Sequence, residues 1–279
     1  MSNNIDLKQG LNIPISGAAV QKTRKTVSPD VIAVKPTDFK GLSPRLLVKE
    51  GDRVLAGSPV LADKKNPDIL VTSPVSGTVS EVVRGEKRKL LEVKIKADGQ
   101  QEYVDFGSHK VSEMTADDVK ELLLKSGLWA GLVQRPYGIV ADPSAEPKAI
   151  FVSAFSTAPL AASPEFALKD DFDNVQAAVN ALGKLTKGGV HVSLSIDNFS
   201  GSPFHKLENV IQHIVSGKHP AGKRRRPDQP HFPYNEGRDC MDSVTSSAGG
   251  NRKASQHRQA QSCQKGCRNR SKGHRPGIR

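Results

Sequence analysis

The chain is short of cysteine, of aromatic residues and of long apolar runs. Its 3 cysteines are Cys240, Cys263 and Cys267, so the first 239 positions contain none. That excludes a disulfide scaffold there and fits a protein of a reducing, cytosolic compartment. The opening residues, Met1-Ser-Asn-Asn-Ile-Asp-Leu-Lys-Gln-Gly10, hold no apolar stretch of the kind a secretory signal needs. The longest weakly charged stretch, Ala149 to Leu168, is interrupted by Pro159, Pro164 and Glu165. A bilayer-spanning helix of about 20 apolar residues does not tolerate such breaks, so no transmembrane segment is expected. Three chemical signatures are also missing. There is no Gly-x-Ser-x-Gly elbow, no recognisable pair of catalytic carboxylates, and no Gly-x-Gly-x-x-Gly turn between a strand and a helix. No catalytic, cofactor-binding or metal-binding residue is assigned.

Charge is abundant but unevenly placed. The 279 residues carry a net charge of +12. Residues 221–279 hold 14 Lys+Arg against 4 Asp+Glu, so they supply +10 and leave +2 for the preceding 220 residues. The basic character belongs to the tail, and the body gives no electrostatic case for nucleic-acid binding. The tail contains no Leu, one Val (Val244) and one Ile (Ile278). It cannot bury enough apolar surface to offset the entropy of ordering, so residues 223–279 are expected to be disordered. Arg224-Arg-Arg226 could contact an anionic polymer or surface, with only Phe232 and Tyr234 available for stacking. No nucleic-acid partner is expected for the body.

The body divides by periodicity. After an N-terminal segment (1–30), residues 31–110 show short β-branched runs: Val31–Val34, Arg45–Val48, Val60–Leu61, Ile69–Val71, Val79–Val83 and Leu90–Ile95. Turn residues separate them, namely Gly51-Asp52, Gly57-Ser-Pro59, Asn66-Pro67, Pro74 with Gly77, and Gly85. This predicts a small all-β domain. In Leu91-Glu-Val-Lys-Ile-Lys96 apolar and charged residues alternate, as in a strand with one buried face. Residues 111–222 change period. Thr115 is placed to cap a helix carrying Val119, Leu122 and Leu123, with Asp117 and Asp118 in its first turn. Ala149–Val152 predicts a buried strand, Asp173–Leu185 an amphipathic helix closed by Gly188-Gly189, and Val190–Leu194 and Val210–Val215 further strands. That order predicts a βαβ unit on a parallel sheet. The pattern then stops at Lys223, in mid-domain.

The densest local motif is Val48-Lys-Glu-Gly-Asp-Arg-Val54, Gly57, Leu61 and Ser73-Pro-Val-Ser-Gly77-Thr-Val79. It resembles the biotinyl/lipoyl barrel-sandwich fold. In carrier domains of that fold a modified lysine stands on a hairpin tip, which here corresponds to Asp63-Lys-Lys-Asn-Pro67. The resemblance makes Lys64 or Lys65 a candidate site for biotin or lipoate, with an unmodified solvated loop as the alternative, since Asn66-Pro67 widens the tip.

A second resemblance runs through most of residues 8–222. Gly10-Leu-Asn-Ile-Pro-Ile-Ser-Gly17, Gly127-Leu-Trp129, Arg135-Pro-Tyr-Gly138, Ala149-Ile-Phe-Val-Ser-Ala-Phe155 with Ala158-Pro-Leu-Ala161, and His219-Pro-Ala-Gly222 stand in order. The series resembles the A subunit of the Na+-translocating NADH:quinone reductase. The resemblance implies an α/β protein: a barrel-sandwich domain, an incomplete Rossmann-like domain, and a tail outside the family pattern. It implies a peripheral subunit on the cytoplasmic face of the bacterial inner membrane. The partners would be the other subunits, a membrane-embedded one above all, and quinone. The complex uses NADH, flavins, an iron–sulfur centre and quinone, while the A subunit is expected to bind no cofactor and to serve docking and quinone access. Its counterpart in the related Rnf complexes carries cysteine clusters for iron–sulfur centres, and their absence favours the reductase family. Where the family continues after His-Pro-Ala-Gly with apolar sheet, this chain turns basic at Lys223. The expectation is that residues 223–279 are a shifted-frame translation. Sequencing the gene from the codon for about residue 205 tests it. A second frame with alternating Val, Ile and Leu is expected near Gly222, and no apolar frame would refute it.

Four histidines, His191, His205, His213 and His219, have no acid or cysteine at ligand spacing, and His191 is expected to be a surface or paired histidine on a strand. In the tail, Cys240, His257, Cys263, Cys267 and His274 would form only a loose zinc set, with nothing apolar to pack round the ion.

Overall fold

A computed structural model describes residues 3–219, less positions 9, 14, 18, 19, 21, 23–27, 159 and 198, together with residues 240–243. The first strand, β1 (Asn3–Leu7), belongs to the sheet of the second domain. A β domain follows, made of β2 (Val31–Val34), β3 (Pro44–Leu46), β4 (Arg53–Val54), β5 (Pro59–Asp63), β6 (Leu70–Thr72), β7 (Gly77–Arg84) and β8 (Leu90–Ala97). These form two antiparallel sheets, ordered β2-β8-β7-β4 and β3-β5-β6. This is the all-β unit that the turn spacing predicts, in the barrel-sandwich arrangement that the resemblance implies. The alternation read in β8 is real: Val93 and Ile95 are fully buried, while Lys94 and Lys96 lie on the other face. Val60, Leu61 and Val79, also almost wholly buried, belong to the same core.

Gly77 shows why a residue read as a turn sits at the start of a strand. A Cβ there would stand 2.0 Å from the Lys96 carbonyl oxygen of β8. Only a residue without a side chain lets β7 and β8 pair this closely.

The second domain contains α1 (Ala116–Lys125), β9 (Leu132–Arg135), β10 (Ile139–Val140), β11 (Ile150–Ser153), α2 (Pro164–Ala167), α3 (Phe172–Gly183), β12 (Val190–Ser195) and β13 (Val210–Gly217). The last described strand is β14 (Cys240–Ser243). Together with β1 they build one sheet in the order β1-β13-β12-β11-β14-β9-β10. The first five of these run parallel, and β9 and β10 close the sheet as an antiparallel hairpin. The sheet is therefore mixed, where the periodicity alone predicts a parallel one. Helix α3 buries Val175, Val179 and Leu182 against the face carrying Ile150, Val152, Val190, Val192 and Leu194. The sequence sets residues 1–30 apart, yet Asn3–Leu7 pair with His213–Gly217 as an edge strand. Of the tail, Cys240–Ser243 supply backbone to the sheet, and its other residues lie outside those described.

Helix α1 begins where the sequence predicts. The Asp118 N–H donates to Thr115 Oγ1 at 3.2 Å, and the Thr115 N–H donates to Asp118 Oδ2 at 2.7 Å. The Thr115 hydroxyl donates to the same oxygen at 2.7 Å. The Thr115 N–H, then its hydroxyl, hold the Asp118 carboxyl below the usual carboxylate range. A lowered folded-state pKa stabilises above the ordinary carboxylate range and loses that stability as pH falls through it. Thr115→Ala is expected to lower the melting temperature by about 2–4 °C at neutral pH. Thermal melts of both proteins at neutral pH and near about pH 2 check it, because the difference shrinks once Asp118 is protonated.

Candidate functional site

In an open sheet with parallel strands, segments that leave the carboxyl ends meet along one edge, which is where such folds bind. Here β1, β11, β12 and β13 end at Leu7, Ser153, Ser195 and Gly217. The segments leaving three of these ends carry the sequence motifs singled out above, and His219 ties them together. Leu11 donates its N–H to the His219 carbonyl at 3.1 Å. The His219 N–H donates to Asn12 Oδ1 at 2.9 Å, and its Nδ1 lies 3.2 Å from Thr157 Oγ1. Gly10 makes the approach feasible. Its φ is +140°, and a Cβ there would stand 2.5 Å from the His219 oxygen.

What this edge presents is apolar. Leu11 is 76% exposed, Ile13 65%, Leu160 85% and Ile196 50%, and Ile15 is exposed too. Large apolar side chains held in solvent along one edge make it a candidate contact surface. The polar groups nearby are used locally. Ser153 Oγ donates to the Phe155 carbonyl at 2.8 Å, and Asp197 N–H donates to Ser195 Oγ at 3.3 Å. The turns after Val152 and Leu194 offer no glycine cradle for a phosphate.

The four histidines do not converge on one site, although two of them pair. His191 and His213 are both buried, with His191 Nδ1 2.8 Å from His213 Nε2 and the two ring planes within 4° of parallel. Phe151 stacks on His191 at 4.9 Å. His191 is thus a paired, interior histidine. His205 hydrogen-bonds the Ser202 carbonyl through Nδ1, and its ring lies 5.8 Å from that of Phe199. Among the described residues no group of three or more His, Cys, Asp or Glu could hold a metal ion. Of the tail residues considered for zinc, His257, Cys263, Cys267 and His274 lie outside the described residues, as do Arg224–Arg226, Phe232 and Tyr234; only the backbone of Cys240 is described.

Lys64 and Lys65 stand at the β5–β6 turn, both exposed. Asp63 Oδ1 accepts from Ser43 N at 2.9 Å and Lys65 N at 3.3 Å, and Lys64 N donates to the Ser43 carbonyl at 2.8 Å. The tip is tied to β3. Two other motifs have structural places. Trp129 is buried in the 128–131 turn, and Arg135-Pro-Tyr-Gly138 makes the β9–β10 turn, with Gly138 N–H donating to Gln134 O at 2.8 Å. Sequence reading misses β9 and β10, although Leu132-Val-Gln-Arg135 followed by Pro136 and Gly138 is a hairpin signal. Among the described residues no helix is long and apolar enough to cross a membrane.

Comparison with known proteins matches both parts of the body. Residues 5–98 match the family described as the NqrA N-terminal barrel-sandwich hybrid domain. Residues 114–225 match the NqrA second alpha/beta domain. The chain is 38% identical over 220 residues to the A subunit of the Na(+)-translocating NADH-quinone reductase of Pseudomonas aeruginosa, covering 78% of this chain and 48% of that protein. It is 36% identical over 220 residues to the same subunit from Histophilus somni, with 78% and 49% covered. With the Yersinia pestis protein the identity is 35% over the same length, again with 78% and 49% covered. The chain thus spans about half the length of the relatives it matches.

Proposed function

Because the chain belongs, through residues 5–225, to the NqrA family, the A subunits of the Na(+)-translocating NADH-quinone reductase, we propose that it serves as a peripheral subunit of such a complex. The complex couples electron transfer from NADH to quinone with Na+ export. In this reading NADH, flavins, the iron–sulfur centre and quinone belong to the assembly, and this chain holds no cofactor of its own. Its place is the cytoplasmic face of the bacterial inner membrane, against a membrane-embedded subunit, where it shapes access for quinone.

The observation that carries the reading is the apolar edge of the second domain. Leu11, Ile13, Leu160 and Ile196 stay exposed although Gly10, Asn12 and Thr157 order the backbone around them at His219. An apolar edge with no catalytic constellation among the described residues suits docking better than chemistry. Co-expression with the other subunits, followed by purification of the complex, tests the proposal. The chain is expected to co-purify with the membrane-embedded subunit, at a yield below that of the longer Pseudomonas aeruginosa NqrA and without restoring NADH-driven quinone reduction. Its absence from the purified complex would contradict the proposal.

A further inference from the structure

The β7–β8 hairpin reaches beyond its sheet. Strand β2 pairs with β8 only at Val93–Lys96, and β4 pairs with β7 only at Gly77 and Thr78. Farther out, Val83 pairs with Glu92 and Arg84 with Leu90, with no third described strand beside them. The chain reverses through Arg84-Gly-Glu-Lys-Arg-Lys89, and all of these but Gly85 are exposed. The six residues carry four cations and one anion, a net of +3. Residues 1–220 together carry +2, so the rest of that body sums to −1. A body that is nearly neutral overall thus gathers its excess positive charge at one projecting tip.

The turn displays that charge. The Lys89 N–H donates to the Glu86 carbonyl at 3.1 Å, and the Gly85 N–H to the Lys89 carbonyl at 2.8 Å. Between them Lys87 and Arg88 both have positive φ, +53° and +58°. Two-residue hairpin turns of this kind favour Asn-Gly, because most side chains crowd the backbone in that conformation. Here the two most constrained positions hold a lysine and an arginine. Cations nearer the barrel are neutralised: Lys94 Nζ lies 2.7 Å from Glu81 Oε2, and Lys35 Nζ 3.2 Å from Glu92 Oε1. Among the described residues Arg84, Lys87, Arg88 and Lys89 make no ion pair. Arg84 Nη1 instead donates to the Arg88 carbonyl at 3.4 Å, across the turn. The backbone donors of Gly85 and Lys89 are used inside the turn, so recognition falls to the four side chains. Cations spread over a projecting tip match a broad anionic surface better than one small anion. No apolar side chain lies in 84–89, so the contact is adsorption and not insertion.

We propose that the β7–β8 tip rests on the anionic headgroups of a phospholipid bilayer. Attraction of this kind acts within about one Debye length and weakens as salt rises. The proposal rests on the membrane placement put forward above, and adds a lipid contact that needs no other subunit.

Amine labelling of the full chain, read lysine by lysine by mass spectrometry, tests it. Phosphatidylcholine vesicles with about 30% phosphatidylglycerol are expected to slow labelling of Lys87 and Lys89 at least about threefold. Lys64 and Lys65, exposed at the β5–β6 turn, should keep their rates, and pure phosphatidylcholine should protect none of the four. Lys87→Gln with Arg88→Gln and Lys89→Gln is expected to weaken partition onto the anionic vesicles about tenfold at about 0.1 M salt. Lys40→Gln with Lys64→Gln and Lys65→Gln removes the same charge from other exposed positions and should change partition less than about twofold. Equal weakening by the two variants, or unchanged labelling of Lys87 and Lys89, would overturn the proposal, because adsorption would then follow net charge or the tail. Protection of the tip by inorganic phosphate or by duplex DNA, with none from the vesicles, would overturn it too. The vesicles hold no reductase subunit, so failure here leaves docking at the apolar edge standing, and failed docking leaves this contact standing.

Discussion

Replacing Trp129 by Ala is expected to lower the melting temperature by on the order of 10 °C. The side chain is 2% exposed, and its indole N–H donates to the Ala141 carbonyl at 2.8 Å. Its turn, residues 128–131, touches β6 of the barrel, α1, β9 and β10. Trp129 therefore joins the two halves of one continuous core. Truncating a buried Trp costs about 3–5 kcal/mol, and for a folded body of this size that corresponds to the shift stated. Trp129→Phe separates packing from hydrogen bonding. It keeps an aromatic ring and strands the Ala141 carbonyl, so it should cost about 1–3 kcal/mol. Circular dichroism melts of the three proteins measure both steps. Trp129 is the sole tryptophan, so fluorescence of the unmodified chain reports on this junction alone.

The second large effect concerns docking. Changing Leu11, Ile13, Leu160 and Ile196 together to Asp is expected to weaken attachment to the other subunits by at least about tenfold, because buried apolar anchors at an interface are each worth more than about 1 kcal/mol. The fold should be untouched, since at least half of each side chain's surface already meets solvent. An unchanged melting temperature with lost attachment assigns the effect to the edge. A lowered melting temperature would place these residues in the fold instead.

Much of the barrel is legible in the sequence because its constraints are local. Turn residues recur between short apolar runs, and β8 alternates residue by residue. Strand β4 escapes such reading because two residues, Arg53 and Val54, give no period. The second domain is legible as far as its strands and helices are internally periodic. Strand β1 is not, because Asn3-Asn-Ile-Asp-Leu7 has little preference of its own and takes strand geometry from the edge of β13. The His191–His213 pair cannot be read either. It requires β12 and β13 to align so that Ser193 stands opposite His213. Register is a property of the assembled sheet, not of either segment. The same holds for Cys240–Ser243, whose strand geometry comes from the gap it fills.

The candidate site is half legible. Its segments, Gly10–Gly17, Ser153–Ala161 and His219, stand out as motifs, whereas their meeting at one sheet edge does not. Asn12 and His219, 207 positions apart in the chain, are brought together only by the β1–β13 pairing. Ile196 carries no motif, and its exposure alone identifies it.

The most direct measurement is a titration of the purified chain onto two membrane preparations. One carries the other reductase subunits without NqrA, and the other lacks the complex altogether. The comparison cancels whatever attraction the +10 tail has for anionic lipid. Saturable retention is expected on the first preparation only, and is lost in the Leu11, Ile13, Leu160 and Ile196 variant. Equal retention on both preparations, or retention indifferent to that variant, would contradict docking through the apolar edge.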